Sequence, residues 1–482
     1  MKDLRSIFYI IGILLCIESI AMLIPSVIDF LYGNDDWKIF FFSSFITFLI
    51  GLVLYFSFKK EKITIKIREA FFLTIFSWIV ISIFASLPFV YSSSNLNYTD
   101  AFFESISGIT TTGATVISNL DQLPEGILLW RALLQWFGGI GIIVLALAIL
   151  PTLQIGGMQL LHMEHDDPYE KILPKINQFV FQILLIYLVI SIFCAISYFA
   201  AGMSGFDAIA HSMTTISTGG FSTYNDSIAN FDSFNIEIIS ILFMIIGSLP
   251  FVIYLKLTHG DLKSIFNDDQ IRLFIGILLF LIFISFLWLT LNYNKDIYGA
   301  LRLSIFNITS ILTGTGYTST NYNLWGSFGL FIMLIIMFIG GCAGSTTGGI
   351  KIFRLLLLFR GAKIQIKKLI HPHGVFVTFF NGKSVDEETY YSIMGFFFIY
   401  ILVFIFSTIL LSIFEIDFLT AISASASAIS NVGPGLGSII GPTENYFEIP
   451  TGAKWILSFT MLIGRLELFT ILVMLSGSFW KK

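Results

Sequence analysis

The sequence predicts an all-α integral membrane protein: four similar units around one axis, preceded by two further transmembrane helices. Three observations carry this reading. The 482 residues are 56% hydrophobic and only 12% charged, against about 25% charged in a soluble domain, and mean hydropathy is +0.86. Windows of about 20 apolar residues, the length that crosses hydrocarbon as a helix, recur at 7–28, 39–58, 184–200, 273–291 and 396–414. Four short, uncharged or nearly uncharged stretches interrupt the apolar segments: "SISGITTTGATV" (105–116), "HSMTTISTGGFS" (211–222), "NITSILTGTGYT" (307–318) and "ASASAISNVGPG" (424–435).

Taken in order, the first apolar stretch is too long for a signal-peptide core, carries Glu18 and lacks a clear small-residue cleavage site, so it reads as a retained first helix. Two helices, 5–28 and 38–58, form the opening pair. Bases cluster in "KKEKITIKIR" (59–68) and again from Lys351 to Lys383, where Lys351, Arg354, Arg360, Lys363, Lys367, Lys368 and Lys383 occur without an acid among them. The positive-inside rule puts both clusters, and the terminal Lys481 and Lys482, on the cytoplasmic side. The acid-rich segment 29–38 and the residues Asp121, Glu125, Asp226, Asp232, Glu444 and Glu448 then lie outside. Both termini are cytoplasmic on this thread, with ten spanning helices and four half-spanning ones. Twelve or more full spans is the alternative, disfavoured by the polarity of the short segments. Cys16, Cys194 and Cys342 all fall in apolar spans and read as small buried hydrophobes rather than as disulfide or metal ligands.

The four interruptions align without gaps. Glu104, His211, Asn307 and Ala424 share one column; Ser107, Thr214, Ser310 and Ser427 another; Gly113, Gly220, Gly316 and Gly433 a third. The glycines are about 100 residues apart, which suits a helix, a half-helix, a loop and a second helix per unit. The units are expected at 63–170, 171–265, 266–370 and 371–482, after an opening pair at 1–62. Ordinary extramembrane turns remain the competing reading, but these would not need a dozen weakly amphipathic residues ahead of each glycine.

Non-helical backbone at membrane depth must be buried in protein or line a watery cavity. Four such loops around one axis can point carbonyls inward and replace the water shell of a cation. Glycine supplies the backbone angles, and Thr and Ser hydroxyls add oxygen. No carboxylate is expected at the ring, which suits a large monovalent ion better than Ca²⁺ or Mg²⁺. Half-helices ending at the loops aim the negative ends of their dipoles at the same point. Glu104 and His211 are expected to brace the loops by hydrogen bonds. No nucleophile elbow, phosphate loop or metal-ligand spacing is present, and "GGIGI" (138–142) reads as helix packing.

"TTTGAT" (110–115), "STGGFS" (217–222), "TGTGYT" (313–318), "SNVGPGLG" (430–437) and "GGCAGSTTGGIKIFR" (340–354) together resemble the Trk/Ktr/HKT superfamily of potassium transporters, end to end along the chain. The two extra N-terminal helices place the resemblance with the longer Trk-type members rather than the Ktr subunits. It implies potassium uptake across the bacterial cytoplasmic membrane through a four-loop selectivity filter, K⁺ as the transported ion and no organic cofactor. The implied ion-contacting residues are Thr111, Thr112 and Gly113; Thr218, Gly219 and Gly220; Gly314, Thr315 and Gly316; and Asn431, Val432 and Gly433. It further implies that Gly340, Gly341, Gly344, Ser345, Thr346, Thr347, Gly348, Gly349 and Lys351 form an intramembrane gate below the filter, and that Arg465 projects toward the ion path. The partners implied are a second copy of the chain, a cytosolic ring protein that binds NAD or ATP, and membrane lipid; nucleic acid is not among them.

Alternatives stay open at this stage. The competing readings of the 340–349 glycines are a small-residue packing surface and a cytoplasmic turn. The competing reading of Arg465 is a structural ion pair with Glu467 or a neighbouring helix, although residues two apart on a helix do not face each other. A secondary transporter coupled to H⁺ or Na⁺ is the competing function, but those folds are typically built on inverted repeats.

Overall fold

The computed structural model describes residues 4–59, 67–146, 176–293 and 296–477. The basic cluster at 59–68 and the terminal lysines lie largely outside these residues. The described residues are mainly helical, with one two-stranded hairpin among them, β1 (Thr378–Phe380) and β2 (Lys383–Val385). Helices α1 (Arg5–Tyr32) and α2 (Trp37–Phe58) form an antiparallel pair. Gly12 and Gly51 sit at their crossing, where a Cβ on Gly12 would come within 2.8 Å of the Gly51 carbonyl. Gly33 ends α1 at φ +80°, the left-handed cap that glycine adopts without strain.

Four units follow. The first has α3 (Ile67–Ala85), the short α4 (Leu87–Tyr91), the half-helix α5 (Tyr98–Ile109) and α6 (Glu125–Val144). The second has α7 (Ile176–Ala200), the half-helix α8 (Gly205–Ile216), α9 (Phe234–Ser248) and α10 (Phe251–Thr258). After the short α11 (Lys263–Asn267) come α12 (Asp269–Tyr293), the half-helix α13 (Ile297–Leu312), α14 (Gly326–Met337) and α15 (Ile352–Ile370). The last unit has α16 (Glu387–Ser412), the half-helix α17 (Phe418–Ser430), α18 (Thr451–Arg465) and α19 (Leu468–Leu475).

Each half-helix starts on a side-chain cap. Asn97, Ser204, Asp296 and Asp417 accept from the backbone N–H three residues on, at 3.0, 3.0, 3.2 and 3.0 Å, satisfying one orphan donor of the first turn. The cap precedes the unit's aligned glycine by the same distance in the first, second and fourth units (97 to 113, 204 to 220, 417 to 433). It comes one helical turn earlier in the third (296 to 316).

Seven described helices are long and apolar enough to cross a membrane, and nine if each of two bent pairs counts as one span. Of the ten spanning helices expected, three of the four second helices are broken. α9 and α10 bend by 93° at Leu249–Pro250 and α18 and α19 by 110° at Leu466–Glu467. Between α14 and α15 the chain leaves the helix entirely. Pro250 cannot donate to the turn before it; Glu467 sits at φ +60°.

Candidate functional site

Beyond each half-helix the chain turns through two left-handed positions. Thr111, Thr218, Gly314 and Asn431 have φ of 52°, 51°, 69° and 55°; two residues later Gly113, Gly220, Gly316 and Gly433 have 83°, 75°, 80° and 103°. Only the second column is glycine throughout. A β-branched residue at positive φ is unfavourable, so Thr111 and Thr218 hold it because the buried surroundings fix the loop.

The four glycines close a ring. A Cβ built on Gly113 would land on the carbonyl oxygen of Gly219. One on Gly220 would land on that of Thr315, and one on Gly316 on that of Val432. One on Gly433 would come 2.7 Å from that of Thr112. Each glycine thus packs against the residue preceding the next unit's glycine, and the order runs first to second to third to fourth and back to the first. All twelve residues expected at the ring are brought together in these contacts or immediately beside them.

Side chains outside the loops fix their carbonyls. On α6, Arg131 pairs with Glu104 at 2.7 Å and donates to Ser222 O at 2.8 Å. One turn on, Gln135 Nε2 donates to Gly219 O at 2.6 Å and its Oε1 accepts from Phe221 N at 3.0 Å. The Glu104 carboxylate also accepts from Val116 N at 2.9 Å, His211 Nε2 meets Ser222 Oγ at 3.0 Å, and Asn307 Nδ2 donates to Ser319 Oγ at 2.9 Å. The first three members of this column therefore all brace the strand leaving their loop. In the fourth unit, Ser427 Oγ at 2.8 Å and Tyr446 OH at 2.9 Å both donate to Gly433 O, filling its two lone pairs. The hydroxyls expected as free ligands are partly engaged as well: Thr112 Oγ1 lies 2.8 Å from Thr110 Oγ1 and accepts from Asn431 Nδ2 at 2.9 Å, and Thr315 Oγ1 lies 2.8 Å from Thr313 Oγ1.

The segment 338–351 lies against this ring and is buried almost throughout. Ile339 and Ile350 form a parallel bridge that closes its neck, with Gly340 N donating to Ile350 O at 3.0 Å. Gly341 N donates to Thr347 Oγ1 at 2.9 Å and Ser345 Oγ to Cys342 O at 2.6 Å. Gly344 and Gly349 take φ of 73° and 66°. The loop docks into the break of α9: Cys342 N donates to Ser248 O, Thr346 N to Gly247 O and Phe251 N to Gly344 O, at 3.0, 3.2 and 3.0 Å. Thr346 Oγ1 reaches Ile216 O and Gly247 O, both at 3.0 Å, and accepts from Thr218 Oγ1 at 3.1 Å. A Cβ on Gly348 would meet Ser430 O and the Asn431 side chain. This is a folded, buried loop rather than a continuous helix.

Two bases of the cluster expected at the cytoplasmic face are buried within the protein. Lys351 donates to Thr347 O and Thr347 Oγ1, and Arg354 pairs with Glu467 at 2.8 Å and stacks on Phe396 at 3.7 Å. Arg465 does not pair with Glu467. It is buried, and its three guanidinium nitrogens have no hydrogen-bond partner among the described residues. The residues that sequence reasoning passed over, Arg131 and Gln135, stand four apart on one face of an apolar helix. That is a signal in itself, because polar side chains at membrane depth face protein or a cavity.

A chain in which four half-helices deliver four left-handed loops to one closed ring, with a buried loop docked against it, is a pore-loop membrane protein. A family model described as "Cation transport protein", TrkH, matches residues 37–482, and the chain belongs to that family. The Trk system potassium uptake protein TrkH of Salmonella typhimurium is 39% identical over 484 residues, covering 99% of both chains. That of Vibrio parahaemolyticus is 40% identical over 484 residues, again 99% of both. The Trk system potassium uptake protein TrkI of Halomonas elongata is 36% identical over 477 residues, 99% of this chain and 97% of its own. The crystal structure of the potassium transporter TrkH from Vibrio parahaemolyticus superposes with a TM-score of 0.92 at 38% identity, covering 100% of both chains. These relatives are transport proteins, and the chain belongs with transporters rather than enzymes.

Proposed function

We propose that this protein takes up potassium across the bacterial cytoplasmic membrane through the ring at Gly113, Gly220, Gly316 and Gly433. The observation that carries the reading is the closed cycle of glycine-to-carbonyl contacts, which sets four backbone loops around one narrow axis. Glu104, the carboxylate in the repeat columns, is matched by Arg131, leaving a neutral cage suited to a dehydrated monovalent cation. The half-helix C-termini add negative dipole ends. The relatives are potassium uptake proteins, which points to the same ion. In this reading the units run 63–170, 171–265, 266–370 and 371–482 after the opening pair 1–62, both termini face the cytoplasm, and the protein works as a homodimer. The segment 340–349 is the gate.

The gate is followed directly by α15, whose Lys363 and Lys367 are exposed. That basic helix is the docking surface for a nucleotide-binding cytosolic ring. Because Lys351 and Arg354 are internal, the ring acts on the gate through the helix rather than by gripping those two residues.

The test is rubidium uptake by purified protein in proteoliposomes. Saturable uptake, competed by K⁺ and far less by Na⁺, is expected. No uptake, or equal competition by Na⁺, overturns the reading.

A further inference from the structure

A small cavity lies beside the loop 340–349, lined by Ser345, Thr347, Gly348, Lys351, Arg465 and Glu467 among others. It holds about 20 Å³, room for a water molecule or two or one monatomic ion. Among the described residues its charges do not balance. Glu467 is the one carboxylate they contribute to the lining, and it is engaged by Arg354 at 2.8 Å. Lys351 and Arg465 remain, 7% and 2% exposed. The lysine donates to Thr347 Oγ1 at 3.2 Å and to the Thr347 carbonyl. The arginine offers Nε, Nη1 and Nη2 to no acceptor among the described residues.

A buried, unpaired cation is strongly disfavoured, and a guanidinium carries five donors in a fixed fork. Neutral water satisfies donors without offsetting charge. An anion does both.

We propose that this cavity is an anion site in which one chloride-sized anion is held by Arg465 with Lys351. A monatomic anion fits this volume, with Arg465 and Lys351 as its donors. An anion there would cancel the surplus positive charge next to the proposed ion path, so that a cation leaving the ring meets a near-neutral chamber. This consequence rests on the potassium-uptake reading; the site itself does not.

The experiment is ³⁵Cl NMR line broadening on the purified full-length protein, titrated with bromide, for wild type, R465Q and R465K. Rubidium uptake is measured on the same wild-type preparation. Saturable broadening displaced by bromide is expected in wild type, with at least a tenfold loss of affinity in R465Q. R465K, which keeps the charge but not the fork, should retain weakened binding, and its retention separates loss of the site from loss of fold. Absence of saturable broadening in wild type, or equal broadening in R465Q, overturns the proposal: water alone then fills the cavity. Uptake of rubidium without saturable chloride binding sinks the anion site and spares the transport reading. Chloride binding without uptake does the reverse.

Discussion

Lys454 Nζ lies 2.6 Å from Asp100 Oδ1, both side chains buried, joining α18 of the last unit to α5 of the first. The lysine also donates to Phe447 O at 2.9 Å. The pair fastens the seam where a single chain, having travelled around the axis, meets its own beginning; Asn431 with Thr112 is a second tie there. Removing one member of a buried pair leaves the other uncompensated, at roughly 3–5 kcal/mol. K454M should therefore lower the melting temperature in detergent, and K454M with D100N should recover much of the loss. A double variant no more stable than the single one counts against the pair as the seam's fastening.

The ring glycines are constrained twice, by positive φ and by a neighbour's carbonyl. Alanine at any of them forces strain of about 1–3 kcal/mol and displaces a carbonyl of the next unit. G113A, G220A, G316A and G433A should each reduce K⁺ over Na⁺ discrimination in rubidium uptake. A tenfold change corresponds to about 1.4 kcal/mol, within that range. Wild-type discrimination in all four would falsify the filter assignment.

Thr346 ties the buried loop to three groups at once, Ile216 O, Gly247 O and Thr218 Oγ1. T346V removes these bonds with little change of shape and should raise potassium flux. Deleting part of 340–349 should raise it further and weaken its dependence on the proposed regulatory ring. Flux that is unchanged or lower in a well-folded deletion would show that the loop is not a barrier.

On α15, replacing Lys363, Lys367 and Lys368 together by glutamine should weaken pull-down of the nucleotide-binding ring and flatten its salt dependence, because complementary charge mainly speeds and orients association. Ion discrimination should stay unchanged. Full ring binding combined with lost affinity for anionic vesicles would assign the helix to lipid instead.

The architecture was legible because its signals are periodic: apolar windows recur, and Gly113, Gly220, Gly316 and Gly433 stand in one column. The left-handed turn two residues earlier was not, since Thr, Thr, Gly and Asn share no chemistry there and tertiary packing overrides the threonines' preference. The break at Pro250 had a signal in the proline. The break at Glu467 has no proline, and the carboxylate there is held by Arg354 from more than a hundred residues away. Long-range matches of this kind, Gln135 with Gly219 included, leave no local pattern. The sequence marks such residues only as polar side chains where polar side chains are rare.

In the ring, Thr111, Thr218, Gly314 and Asn431 occupy equivalent corners, each encoded separately. A ring assembled from four copies of one subunit changes at every corner when its gene changes once. Here a single codon alters one corner and leaves three in place. Drift and selection can therefore alter the ring in quarter-steps, and its four corners, Thr, Thr, Gly and Asn, are already unalike.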